Sequence, residues 1–489
     1  MKSTKIIRYF SIAALCATTM LSSCADWLEE DPKTFISPSS FYQTEEDFEG
    51  ALRGLYPQGQ NLNLTEVFAD YNDKPESAEQ VGDIWANNPG YGFYALRGAW
   101  SGAYSTIKNA NMILESIQNK KFSEEVKNRI VGEAKCLRAW SYFTLVQLYG
   151  DIPLRTSVVT SEDQIAIDRA PEKDVYAFIF EDILDAESKL PEESPEMGRV
   201  NKYVAKAILA RIYLTSAGFP MNMTENYSKA KEKALEVINS GNYQLMPTFD
   251  KVFKTEKYTA ETIWATLYEA PTSYSGMHTV SAPIGSQTAL YLPTDRFIKS
   301  FEEGDFRKEW GIKSNYVNAK GNEVIKRSYY NKYINEEYLE QEMPASNTNI
   351  LTWQTQLIRL AEMYLIVAEA ENEMNGPTPT AYQYINTIRK RARVDASNPA
   401  HVPDLSGLSK DQFREAVYLE RKHELFEEGF AWYDLKRTQT FNKVQEARGD
   451  KLNVPIGTYN NTWLIPDFEI LNNNIPPVSY THLTLPTIA

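Results

Sequence analysis

The chain is poor in residues that cross-link or catalyse. Its 489 residues include 3 Cys and 4 His, too few for a disulfide framework and sparse for metal or acid–base centres. It has no Walker loop, no His-Glu-x-x-His and no Gly-x-Ser-x-Gly elbow, and Asp70-x-Asn72 lacks the Gly and Glu of an EF-hand loop. No cofactor, no metal and no enzymatic activity are therefore expected. Positive charge is also short, with 51 Lys plus Arg against 65 Asp plus Glu and a net charge of −14. That balance excludes the basic footprint needed to displace counterions from nucleic acid. No apolar run reaches the roughly 18 residues of a membrane-spanning helix. What is present is ordinary core-forming material, 43% apolar and 24% charged, with 30 Tyr against 21 Phe. Many rings thus carry a polar tip.

Lys2, Lys5 and Arg8 precede an apolar stretch from about Phe10 to Leu21, the plan of an export signal over residues 1–23. Leu21-Ser22-Ser23-Cys24 resembles a bacterial lipobox, which implies cleavage before Cys24 and acylation of its thiol. Cleavage would also remove Cys16, leaving Cys24 and Cys136. Cys136, set among Ala134, Leu137 and Trp140, then reads as a small core residue. Asp26-Trp27-Leu28-Glu29-Glu30-Asp31 resembles a retention tag that sends lipoproteins to the cell surface.

Helical periodicity dominates the rest. Leu360, Met363, Ile366, Val367, Ala370 and Met374 form one stripe over 359–374, ended by Gly376-Pro377, and Thr380 is a plausible cap for a second helix to about Arg393. That pair has the length of a tetratricopeptide-type hairpin. Residues 203–217 with 225–240, and 100–117 with 130–149, repeat the plan; further helices are expected over 172–190 and 411–428. Such hairpins cannot bury their apolar faces alone and must stack. Two regions lose the period: 61–98, and 241–352, where Ile263, Ala265 and Leu267 suggest a short strand.

The ordered motifs resemble the SusD/RagB family of surface glycan-binding lipoproteins. They are Cys24-x-x-x-Leu28-x-x-x-Pro32, Gly132-Glu133-Ala134-Lys135-x-Leu137-Arg138-Ala139, Tyr149-Gly150-Asp151-Ile152-Pro153, Arg359-x-Ala361-Glu362-x-Tyr364-Leu365 and Glu420-Arg421-x-x-Glu424-Leu425-Phe426-Glu427. The resemblance covers Cys24 to about Leu471. It implies an all-α fold of stacked tetratricopeptide-like hairpins whose irregular insertions build the ligand face. The domain reads as an N-terminal part over about 24–240, an insertion over about 241–352 and a helical part over about 353–471. It further implies oligosaccharide or polysaccharide capture, a lipid anchor in the outer membrane facing the extracellular side, and a SusC-like TonB-dependent transporter as partner. Two departures stand out. Before Asp434-Leu435 the family's Arg is missing, which puts a local ion pair in doubt. The tail, 472–489, leaves the pattern, and Val478 to Pro486 reads as translated sequencing-adapter sequence with no role assigned.

Sugar sites combine flat rings with amides and acids that fix hydroxyls. Trp85 to Tyr91 offers this mixture on an irregular segment. The resemblance places a ligand-binding Trp and Asn at Trp85 and Asn88, with Tyr91, Asp70 and Asn72 close in sequence. In the second irregular segment Tyr274, Tyr291 and Trp310 are candidates by location. Trp100, Trp140 and Trp432 lie on helical stripes and read as core. Glu420 and Glu424, one turn apart, would suit a glycosidase pair, but Arg421 and Lys422 beside them suggest a salt-bridged face, with His423 a solvated or capping side chain. A surface glycoside hydrolase and a peptide-binding relative remain the alternatives.

Overall fold

The computed structural model describes residues 41–56, 65–66, 69–73, 89–253, 258–267, 291–317, 321, 323–334, 354–448 and 461–473. Among these the helices are α1 Glu45–Arg53, α2 Pro89–Ser116, α3 Glu124–Tyr149, α4 Glu172–Lys189, α5 Lys202–Ala217, α6 Asn226–Ile238, α7 Asp295–Ser300, α8 Phe306–Gly311, α9 Leu360–Asn375, α10 Pro379–Arg391, α11 Lys410–Leu425, α12 Ala431–Thr438, α13 Asn442–Arg448 and α14 Asp467–Asn473. Capping by short polar side chains sets several starts. Ser123 accepts from the Val126 N–H, Asn201 from Val204 and Thr378 from Ala381, while Ser409 and Gln412 form a reciprocal box. Thr378, with Pro379 in the first turn, is thus the cap of α10 instead of Thr380.

The helices stack in chain order: α2 on α3, α3 on α4, α4 on α5, α5 on α6, then α6 on α9, and α9 on α10 and α11. Flanked on two sides, α3 and α5 are buried around most of their circumference. The stripes Ala205, Ile208, Leu209, Ile212 and Leu360, Met363, Ile366, Val367 are inside, whereas Met374 is exposed. Trp100, Trp140, Trp432 and Cys136 are core residues, as expected from their positions.

The contact of α6 with α9 is the architectural key. Residues 239–359 leave the stack and return to it without interrupting it. Strand β4, Thr262–Leu267, holds the expected Ile263, Ala265 and Leu267 and pairs antiparallel with β8, Gln354–Arg359, closing the root of the excursion. Between them come β5, Leu292–Pro293, and a β6–β7 ladder of Ile312–Val317 with Glu323–Tyr330. Three short strands lie earlier: β1 Asn72–Asp73, and β2 Ile152–Pro153 paired with β3 Arg169–Ala170.

Arg359 is therefore the last residue of a strand, not the first of a helix. It is fully buried among carboxylates. Its Nη1 lies 2.7 Å from Glu261 and 2.6 Å from Glu424, and its Nε lies 2.7 Å from Glu428. Arg307 bridges Asp305, Glu420 and Glu424, and Arg391 joins Glu261 to Glu424. Burial alone would raise the Glu424 carboxyl, but Arg391, Arg359 and Arg307 outweigh it and hold it far below the ordinary range. The Glu420–Glu424 face is ion-paired as expected, but it lies inside the molecule. His423 is also buried, not solvated. Its ring stacks on Phe301 at 3.9 Å and its Nε2 lies 2.8 Å from Ser300 Oγ. Burial, with Arg307 and Arg389 nearby, keeps it uncharged. Asp434 is nonetheless ion-paired, with both Arg421 and Arg437.

Candidate functional site

The two irregular segments meet in one antiparallel ladder. Asn72 pairs with Pro293 and Asp73 with Leu292, joining β1 to β5. In that register the chain leaving Asp73 and the chain arriving at Tyr291 stand at the same end. That end of the ladder, with its buried neighbours, is the platform of the candidate site. Trp85, Asn88 and Tyr274, like Cys24, lie outside the described residues. Tyr91 falls in the first turn of α2, because the helix begins at Pro89 and the irregular segment ends earlier than expected. Proline suits a first turn, where its missing N–H has no partner to lose.

Asn72 and Tyr291 are corrections. Asn72 is buried; its amide donates to the Glu66 carbonyl at 2.8 Å and its Oδ1 accepts from the Tyr330 hydroxyl. It pins the platform and has no face for a ligand. Tyr291 is also fully buried, 6.1 Å from the Tyr330 ring, so it is floor and not stacking surface. Trp310 is half-buried against Phe253, with ring centroids 6.2 Å apart and planes 17° apart, and it meets Phe249 edge-on. One of its faces is already occupied.

Asp70 is differently placed. It lines a cavity of about 400 Å³ with Tyr71, Arg296, Phe297, Tyr418 and Lys422. Lys422 pairs with its Oδ2, while its Oδ1 is buried without a hydrogen-bond partner. No local pattern marks the other lining residues, because they come from the turn before β1, from α7 and from α11. Glu415 beside the cavity is paired with Lys443. The two nearby acids are thus each paired with a lysine. Among the described residues no group of three or more potential ligands could hold a metal.

Glu66 anchors the platform to the far end of the chain. Its Oε1 accepts from the Gly429 N–H at 2.9 Å and its Oε2 from the Tyr71 hydroxyl at 2.5 Å, and Thr65 donates to the Gly429 carbonyl. Burial pushes its carboxyl up to about 7, against the lowering effect of the Tyr71 and Gly429 donors. A carboxyl raised on folding binds its proton more tightly in the native state. Its cost is absent below the unfolded value, grows as pH rises, and is complete above about pH 7. Stability is expected to fall by roughly 2–3 kcal/mol between about pH 4.5 and 7.5 through this group. Urea midpoints across that range should decline for the native chain and stay flatter for Glu66→Gln. Parallel curves would remove Glu66 from the account.

Comparison with known proteins agrees with this architecture. Residues 26–214 match a family model described as starch-binding, associating with outer membrane, and residues 189–474 match the SusD family model. A SusD-like protein of Formosa agariphila is 27% identical over 89% of this chain and 90% of its own. A SusD-like protein of Bacteroides ovatus is 25% identical over 86% of this chain and 81% of its own. Among solved structures, a SusD superfamily protein of Parabacteroides distasonis superposes with a TM-score of 0.78 at 22% identity, covering 90% of this chain and 99% of its own. A laminarin-binding SusD-like protein superposes at 0.73 with 21% identity, covering 90% of this chain and all of its own. The helical stack with its excursion between α6 and α9 is shared along nine-tenths of this chain, and one family model alone spans more than half of it: the chain belongs to the SusD family.

Proposed function

We propose that this protein is a lipid-anchored, outer-membrane binding protein, exposed at the cell surface, that captures oligosaccharides or polysaccharides and passes them to a SusC-like TonB-dependent transporter. The observation that carries the reading is the β1–β5 ladder, which joins the two irregular regions beside the Asp70 cavity. Aromatic faces cover the C–H surfaces of a sugar while acids and amides orient its hydroxyls. The pairing of Asp70 and Glu415 with lysines favours capture over hydrolysis.

Affinity electrophoresis on a panel of plant and host polysaccharides identifies the ligand, and calorimetry then tests Trp85→Ala. Loss of one stacked ring is expected to weaken binding by about 2 kcal/mol, roughly thirtyfold, with the circular dichroism spectrum unchanged. Unchanged affinity would make Trp85 a loop-packing residue. Extraction in mild detergent should bring down a large β-barrel protein, and the purified chain should release no reducing sugar. Recovery alone, with steady turnover of a polysaccharide, would replace this reading with a hydrolase.

A further inference from the structure

The cavity beside Asp70 has a charge pattern that narrows its ligand. Two acids and three cations line it: Asp70 and Glu415 against Arg296, Lys422 and Lys443. Each acid already has a lysine, Asp70 with Lys422 and Glu415 with Lys443. Arg296 is the cation left over. Among the described residues its ion pair is with Glu446, at 3.7 Å, and the two side chains are 66% and 54% exposed. That separation is too long for a hydrogen bond, and an exposed pair of this kind contributes little. No acceptor among the described residues takes the five N–H donors of the Arg296 guanidinium.

A guanidinium is a planar fork that matches the two oxygens of a carboxylate, and the match is charge-assisted. Apolar surface adjoins it in the same cavity. Tyr71 stacks on Phe297, with ring centroids 4.8 Å apart and planes 27° apart, and Leu419 on α11 is 41% exposed. The chain as a whole carries a net charge of −14. A positive excess here is therefore a property of this cavity and not of a basic surface around it. We propose that the captured glycan is acidic, and that Arg296 takes the carboxylate of a uronic acid residue in place of Glu446. The inference rests on the reading of this protein as a glycan binder and adds the class of glycan.

Affinity gels cast with polygalacturonate, alginate or hyaluronan, each beside its methyl ester, test it on the intact chain. At least one acidic polymer is expected to retard the protein, and its ester to bind at least tenfold more weakly. In Arg296→Gln that preference should disappear, with the acidic and esterified forms binding alike. Glu446→Gln removes the competing carboxylate and should widen it. Both residues are exposed, so the fold should survive either change, and circular dichroism checks that it does. Equal retardation by acid and ester, or by the neutral polymers alone, would overturn the inference and leave glycan capture standing. A preference kept by Arg296→Gln, or narrowed by Glu446→Gln, would overturn it too. Retardation by none of these gels would remove the acidic class, and the panel of neutral plant and host polysaccharides would then decide glycan capture separately.

Discussion

Arg359→Ala is expected to destabilise the protein by about 3–5 kcal/mol, the scale for breaking a buried ion pair from one side. Arg359 sits at the root of the excursion and contacts Glu261, Glu424 and Glu428, none of which has solvent to fall back on. Arg391 and Lys332 would still serve part of that acidic charge, so the loss should fall short of complete unfolding. The pH dependence distinguishes electrostatics from lost packing. Glu424 is held down in the native state by its arginines, so its contribution is present above the unfolded carboxyl value and fades as pH falls below it. The gap between native chain and variant should be widest at neutral pH and narrow in acid, as the stranded carboxylates take up protons. Denaturant unfolding at pH 7 and pH 4.5 measures both. Lys390→Ala, which removes an exposed pair with Asp404, should stay within about 0.5 kcal/mol. A gap independent of pH would assign Arg359 a steric role only.

Cys24→Ala is expected to abolish lipid labelling altogether and leave a precursor that retains residues 1–23. The proposal rests on Leu21-Ser22-Ser23-Cys24 following a charged head and a short apolar stretch. Among the described residues no helix is long and apolar enough to cross a membrane. Each buried CH₂ of an acyl chain contributes about 0.8 kcal/mol, and one chain anchors only marginally. Several chains on Cys24 would therefore account for membrane retention, and their loss should release the protein to the soluble fraction. Metabolic labelling with palmitate and fractionation of cells expressing the variant provide the readout. Labelled, normally cleaved Cys24→Ala protein would refute the lipobox.

The helical scaffold was legible because its stripes and caps are local. Leu360, Met363, Ile366 and Val367, like Ala205, Ile208, Leu209 and Ile212, recur at helical spacing, whereas the short helices α1, α7, α8 and α12 to α14 have too few turns to show a period. Thr380 was a good cap chemically, but Pro379 makes Thr378 the better one. Arg359 was misread because a buried strand end and a helix start can share one periodic window. At the site, residue type misled where burial decides. Asn72 and Tyr291 have the chemistry of a sugar contact, yet the β1–β5 ladder turns both inward. The cavity beside Asp70 was invisible for the opposite reason, since Tyr71, Phe297 and Lys422 converge only in three dimensions.

The attachment of Glu66 to Gly429 and of Asp70 to Lys422 spans 363 and 352 positions of the chain. Synthesis delivers the N-terminal end first, so α2 to α6 can collapse on one another early. Contacts between such distant residues form late, after the entropy of closing the intervening loop has been lost. The segment that carries β1 is therefore tied down only when the last quarter of the chain has arrived. A chain interrupted before Lys422 would hold most of the helical stack and lack the contacts that tie Glu66 and Asp70 to its far end.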